Sequence, residues 1–138
     1  MGLLDKPFGS HGKAEGEAFL AANAAKEGVQ TTASGLQYKT LTPATGPSPD
    51  ETATVKVHYE GRLIDGTVFD SSYKRGEPLS FPLGAVISGW TEGLQVMSVG
   101  SKYELYIPYE LAYGKRGSPP NIPPCAVLIF QVELLSIE

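Results

Sequence analysis

The chain has 138 residues, 41% of them hydrophobic, with 16 glycines, 11 prolines, one cysteine and a formal net charge of −4. That length supports one domain with a real core, and the glycine and proline content suits a turn-rich, strand-rich fold. Lone Cys125 excludes an intrachain disulfide, and the only basic pairs, Lys74-Arg75 and Lys115-Arg116, make no stripe of the kind nucleic acid requires.

Residues 1–13, rich in Gly, Lys and Ser without periodicity, read as a flexible tail. AEGEAFLAANAAKEG then has the composition of a helix over Ala14–Glu27, with acids early, Lys26 late and Gly28 placed as its C-cap. Its apolar face is narrow, Phe19 and Leu20 among alanines, so it must lean on a body or on a partner helix. Residues 14–34 are thus a helix and linker, and the main domain runs over 35–138. Thr-Thr-Ala-Ser-Gly breaks the helix, and LQYKTL alternates as a strand with Leu36 and Tyr38 on one face.

TPATGPSPDE is a loop, and TATVKVHYEG is the cleanest strand, sending Ala53, Val55, Val57 and Tyr59 one way and Thr54, Lys56, His58 and Glu60 the other. RLIDGTVFD carries Asp65-Gly66, a two-residue hairpin turn accepting positive φ twice, which returns Phe69 and Asp70 alongside Tyr59. LSFPLG is a short edge strand ending at Pro82. SGWTEGLQVM spans about two helical turns capped by Ser88 or Gly89, with Trp90, Leu94 and Met97 on one face. KYELYIP alternates, and AVLIFQVELLSI, apolar on both faces near its centre, suits the middle of a covered sheet. The fold class is α+β: an antiparallel sheet of about five strands wrapped on one short helix, with an extra N-terminal helix.

The familiar catalytic toolkit is missing. His58 lies on the polar face of a strand, His11 lies in the tail, and nothing nominates a base to activate Cys125. Ser48, Ser71 and Ser72 are loop serines with turn roles, and no metal spacing, phosphate loop or nucleophile elbow occurs, so neither a metal nor another cofactor is expected. Aromatics stand out instead, although composition alone favours reading them as a core plus scattered surface tyrosines over a pocket lining. Tyr59, Phe69, Phe81, Trp90, Tyr109 and Tyr113 fall where strands meet loops, Phe130 falls in the last strand, and PYELAYGKRGSPPNIPP is a long loop of the sort that is usually functional.

VKVHYEGRLIDGTVFDSS, VISGWTEGLQVMSVGSKYELYIP, AYGKRG and IPPCAVLIFQVELL closely resemble the FKBP-type peptidyl-prolyl isomerases, from about Gly35 to the C-terminus. The preceding helix resembles the end of the connecting helix in the bacterial macrophage infectivity potentiator subfamily, some of whose members are linked to virulence. The resemblance implies a half-barrel sheet closing on a helix, with the ligand pocket between them. It implies Trp90 as the pocket floor, with Tyr59, Phe69, Leu79, Val86, Ile87, Ile122 and Phe130 as substrate- or ligand-binding walls. Tyr113 matches the tyrosine whose hydroxyl reaches a ligand carbonyl, Ile87 supplies a backbone N–H, and Asp70, supported by Arg75, matches the carboxylate beneath the rim. Asp70, Tyr113 and Trp90 are therefore the expected catalytic residues. Leu79, where an aromatic is usual, and Ser118 and Asn121 in the flap depart from the commonest pattern.

The implied activity is rotation of Xaa-Pro bonds in protein folding, on proline-containing peptides and unfolded proteins, inhibited by macrolides such as rapamycin and tacrolimus. The alternative is a chaperone for proline segments, or a partner-docking module, with little turnover. The chain is expected to be a monomer, with a dimer where a longer N-terminal region exists. It has no apolar run of membrane-spanning length and no leader in MGLLDKPFGS. That favours the cytoplasm, while the subfamily resemblance favours a periplasmic or secreted protein.

Overall fold

The computed structural model describes residues 12–138. The tail read over residues 1–13 lies outside the described residues except for Gly12 and Lys13, and so does His11. Helix α1 spans Lys13–Ala24 and stops short of the expected end at Glu27. Ala25 caps it in right-handed geometry, and Gly28, with φ of 85°, turns the chain into strand β1, Val29–Thr31.

Seven strands form one antiparallel sheet: β1, β2 (Gln37–Thr42), β3 (Thr54–Leu63), β4 (Val68–Ser71), β5 (Leu79–Pro82), β6 (Lys102–Ile107) and β7 (Leu128–Ile137). The main path runs β1-β2-β6-β7-β3-β4, with β5 paired to β3. The count exceeds the five expected chiefly because Val-Gln-Thr before the Thr-Thr-Ala-Ser-Gly turn pairs with β2, so that the breaker is a hairpin loop closed by Thr32 N–H on the Leu36 carbonyl at 2.8 Å. Strand β3 alternates buried and part-buried along its whole length, as its sequence period dictates. The turn after it differs from expectation: only Gly66 has positive φ, and Asp65 accepts the Thr67 N–H at 2.9 Å. One left-handed residue, not two, closes a longer turn that delivers Phe69 and Asp70.

A single helical turn, α2 (Ser72–Arg75), follows β4; helix α3, Ser88–Val96, crosses the concave face of the sheet and buries Trp90 and Leu94 on it, with Met97 just beyond its end. Leu94 and Met97 are wholly buried, worth about 2–3 kcal/mol each. Neither Ser88 nor Gly89 caps α3; Ile87 does, in extended conformation and without a side-chain bond. The glycines flanking Trp90 serve close approach. A Cβ on Gly89 would stand 2.5 Å from Ile107 Cγ2, and one on Gly93 would stand 2.8 Å from Leu105 Cδ1. Spaced by one helical turn, they let α3 lie directly on β6. The convex face is partly covered by α1, whose Phe19 ring meets Tyr106 at 6.3 Å. Asn23, 2% exposed, ties α1 to β2 by donating to Gln37 Oε1 at 2.8 Å, and Gln37 donates back to the Leu20 carbonyl at 2.9 Å.

Candidate functional site

Where α3 meets the concave sheet, the side chains leave a cavity of about 470 Å³. Its floor is Trp90, 5% exposed, surrounded by three rings. Tyr59 stands edge-on at 5.1 Å, Phe130 edge-on at 5.0 Å, and Phe81 tilts at 5.2 Å. Perpendicular packing places ring edges against ring faces, the arrangement favoured by aromatic quadrupoles. Tyr59 comes from the middle of β3 and Phe130 from β7, so the central strands fix both by register. Phe69, on β4, meets Phe130 edge-on at 5.5 Å. That contact needs a bare backbone at Gly61, where a Cβ would fall 2.6 Å from Phe130 and 2.7 Å from Phe69.

The wall has one charged group. Asp70 accepts the Tyr59 hydroxyl at 2.5 Å and is ion-paired with Arg75, whose guanidinium also donates to the Tyr59 oxygen at 2.9 Å and lies 5.6 Å over the Tyr59 ring. Burial, and then the hydrogen bond to Asp70, push the Tyr59 hydroxyl above its ordinary range, so it is a donor throughout neutral pH. The hydrogen bonds to Tyr59 and Asp70 likewise raise the Arg75 guanidinium. Asp70 is thereby occupied by two fixed partners. At the mouth stand Leu79, 41% exposed, and Tyr113, 42% exposed, with Val86 and Ile87 between them and α3.

Ile87 caps α3 with its carbonyl, which accepts from Trp90 and Thr91 at 2.9 and 3.1 Å, while its own N–H has no acceptor among the described residues. Unpaired amides at a helix start face outward, ready for an incoming carbonyl. Trp90 Nε1 is buried without a hydrogen-bond partner among the described residues.

Of the residues singled out in the sequence, Tyr59, Phe69, Asp70, Leu79, Val86, Ile87, Trp90, Tyr113 and Phe130 line the cavity together. Arg75 stands behind Asp70. Ile122 does not line it: it is 6% exposed, in the core cluster, and its backbone bridges to Ser118 at the flap base. Phe81 and Ala85 line the cavity as well, beyond the residues that the family resemblance implies. Phe81 stood out as an aromatic at an element end; Ala85 carried no signal. His58 lies away from the cavity, with Nδ1 2.7 Å from Ser72 Oγ and its ring stacked on Tyr73 at 4.7 Å. Among the described residues no cluster of His, Cys, Asp and Glu could hold a metal.

An aromatic cleft between an antiparallel half-barrel and one helix, with a few polar groups at its wall and mouth, is a concave site of the kind that takes a ligand. Residues 46–135 match the family model described as FKBP-type peptidyl-prolyl cis-trans isomerase, and residues 8–40 match that of the domain amino terminal to it. The chain belongs to the FKBP-type peptidyl-prolyl cis-trans isomerase family. It is 57% identical over 124 residues to the Escherichia coli FKBP-type 22 kDa peptidyl-prolyl cis-trans isomerase, covering 90% of this chain and 60% of that protein. It is 49% identical to a Legionella longbeachae protein named outer membrane protein MIP, covering 91% and 54%. The solved structure of a peptidyl-prolyl cis-trans isomerase from Pseudomonas syringae superposes with a TM-score of 0.87 at 42% identity, over 97% of this chain and 98% of that one. The resemblance to the infectivity potentiator group is met by such relatives, and the chain spans about 60% of the length of the first of them and 54% of the second.

Proposed function

We propose that this chain accelerates rotation about Xaa-Pro bonds in peptides and unfolded proteins. The single observation that supports it most is an aromatic cavity whose only charged wall group, Asp70, is already held by Tyr59 and Arg75. Prolyl rotation needs no nucleophile. Its barrier, about 18–20 kcal/mol, is amide resonance, and uncatalysed exchange takes tens to hundreds of seconds. A desolvating cup over Trp90 disfavours the charge-separated planar amide relative to the twisted one. The Ile87 N–H and the Tyr113 hydroxyl hold the neighbouring carbonyls while the bond turns. Lowering the barrier by about 5 kcal/mol gives roughly 10³- to 10⁴-fold. In this reading Asp70 orients Tyr59 and accepts a ligand hydroxyl, and it moves no proton.

The same cavity is proposed to take macrolides such as rapamycin. We assign the activity to residues 35–138 and read 14–34 as a helix and linker before them, within which Val29–Thr31 adds an edge strand to the domain's sheet. The chain by itself is read as a monomer. The naming of the L. longbeachae relative as an outer membrane protein supports the exported alternative over the cytoplasmic one; among the described residues no helix is long and apolar enough to cross a membrane.

The test is cis-to-trans exchange of an Xaa-Pro-Phe peptide by NMR, with and without rapamycin, on the wild type and on Asp70→Asn. Acceleration abolished by the macrolide and retained in Asp70→Asn supports the mechanism. Binding without acceleration overturns it in favour of a proline-segment chaperone. Loss of all acceleration in a folded Asp70→Asn overturns the assignment of a purely orienting role.

A further inference from the structure

A second cleft, of about 310 Å³, lies on the opposite side of the sheet, between the end of α1 and the convex face. Tyr106 and Ile129 form its floor, and Phe19 and Val29 are apolar walls. Among the described residues three cations line it, Lys26, Lys39 and Arg62, against a single carboxylate, Glu104. The chain as a whole carries a net charge of −4, so this concentration of positive charge runs against its own average.

The four charges are not equivalent. Glu104 is satisfied at both oxygens, accepting from Arg62 at 2.9 Å and from the Tyr106 hydroxyl at 2.7 Å. Burial, and then Glu104, push the Tyr106 hydroxyl upward, so it stays a donor. Lys26 and Lys39 have no carboxylate partner among the described residues. Lys39 is not a loose surface lysine: its stem lies along the backbone of Gly28, where a Cβ would meet its Cε at 3.5 Å and its Cγ at 3.7 Å. The buried Asn23–Gln37 pair fixes α1 over β2, so the cleft is preformed.

The sheet order sets its length. Lys39 on β2 and Arg62 on β3 are separated by β6 and β7, which is three interstrand steps or about 14 Å. A trough of that span matches about four residues of extended chain at roughly 3.3 Å each. A free small acid would reach only one end of it. From this juxtaposition of two unpaired lysines with an apolar floor, we infer that the convex cleft is a second binding site for an extended polypeptide segment carrying a carboxylate side chain beside a bulky apolar one. The carboxylate sits between Lys26 and Lys39, and the apolar side chain covers Ile129 and Tyr106 beneath Phe19. The site is separate from the aromatic cavity and stands whether or not that cavity turns over prolyl bonds.

The probe is the proline-free peptide acetyl-Ser-Asp-Leu-Phe-Ser-amide, titrated into the uniformly ¹⁵N-labelled full chain at low and high salt. Its Asp-to-Asn counterpart and the free acid 4-methylpentanoate are the comparison ligands. We expect shifts at Lys39, Arg62 and Tyr106 but not at Trp90 or Tyr113, affinity that falls with salt, and about tenfold weaker binding of the amide counterpart. Lys39→Glu and, separately, the exposed Lys26→Glu should each weaken binding about tenfold or more while leaving the remaining spectrum in place. Shifts confined to Trp90 and Tyr113, equal binding of the amide peptide, or no shift at all overturns the inference. Binding of 4-methylpentanoate as tightly as the peptide overturns the polypeptide source and makes the cleft a small-acid site.

Discussion

Replacing Gly89 by alanine sets two effects against each other, and the structure decides between them. Alanine in a helix interior is favoured over glycine by about 1 kcal/mol, a gain that is smaller in the first turn. The added methyl, however, would stand 2.5 Å from Ile107 Cγ2, 2.9 Å from Cδ1 and 3.1 Å from Cγ1. Ordinary carbon contacts need about 3.5–4.0 Å, so α3 or Ile107 must yield by about 1 Å. Ile107 is wholly buried and β-branched, so its χ1 cannot swing away cheaply. Overpacking of this kind costs about 1–3 kcal/mol. The expected net effect is a loss of about 1–2 kcal/mol, seen as a fall in Tm of roughly 3–7 °C for a domain of this size. Lifting α3 also displaces Trp90 and the Ile87 N–H, and a shift near 1 Å is expected to cost about tenfold or more in kcat/KM for prolyl exchange. Gly84→Ala is the control, since nothing lies within 4 Å of its added methyl. The double variant with Ile107→Ala should be less destabilised than the sum of its parts, because the new methyl then occupies vacated space. A Gly89→Ala protein as stable as Gly84→Ala, with additive behaviour in the cycle, would show that close approach of α3 to β6 is not what the glycine provides.

Tyr59→Phe removes the hydroxyl shared by Asp70 and Arg75 but leaves those two paired and partly solvated, so a loss of about 1–1.5 kcal/mol is expected in chemical denaturation. Tyr59, Tyr73 and Tyr106 are all raised above the ordinary 10.0, burial being the largest cause in each. Because the folded state then holds these protons more tightly, their contribution to stability is complete below pH 10 and is lost as pH rises through the folded values. Phenolate absorbance should accordingly show three of the seven tyrosines ionising late, in step with unfolding. Leu79→Phe, at a rim position that is 41% exposed, should change KM for peptides about two- to fivefold according to the residue before proline, with kcat and Tm nearly unchanged. A fall in kcat at constant KM would place Leu79 in the floor instead.

The strands were legible where one face alone is buried. Strand β3 alternates because its even and odd positions meet core and solvent, and β7 reads as apolar on both faces because it lies between β6 and β3, with α3 on one side of the sheet and α1 on the other. Strand β1 was hidden since three residues carry no period, and their pairing with β2 is a tertiary fact. The start of α3 differs from expectation for a physical reason as well. Ser88 is a good capping residue by type, but the extended residue that turns into the helix is Ile87, whose own N–H has no acceptor among the described residues. A side-chain cap belongs to a helix end that must be closed, and this one faces a cavity. The site residues came from the family resemblance, and composition could not have collected them. Tyr59, Phe69, Phe81, Trp90 and Phe130 lie on five different elements that only the sheet register brings together. Phe81 escaped because a short edge strand gives no sign of which face its aromatic takes. Ile122, expected as a wall, lies in the buried cluster that also holds Trp90 and Phe130, its backbone bridged to Ser118 in the flap.

Floor and rim divide the labour of the cavity. Trp90, Tyr59 and Phe130 are each about 5% exposed and belong to the same buried cluster as Leu94, Leu105 and Val132. A group that shapes a desolvating cup must itself be dry, and a dry group in a small domain is necessarily part of its core. Truncating Trp90 therefore removes packing and cavity shape together, and no activity measurement on that variant can apportion the loss. Leu79 and Tyr113, each over 40% exposed, contribute little to the core, and in the proposed reading they meet whatever flanks the proline. Departures from the usual family pattern at Leu79, Ser118 and Asn121 fall on this exposed margin and on the flap. Selection can alter such positions at almost no cost in stability, because changes there leave the packing of the floor untouched. Differences among relatives in peptide preference should accordingly track the rim, while the rate at a well-bound prolyl bond tracks the shared aromatic floor.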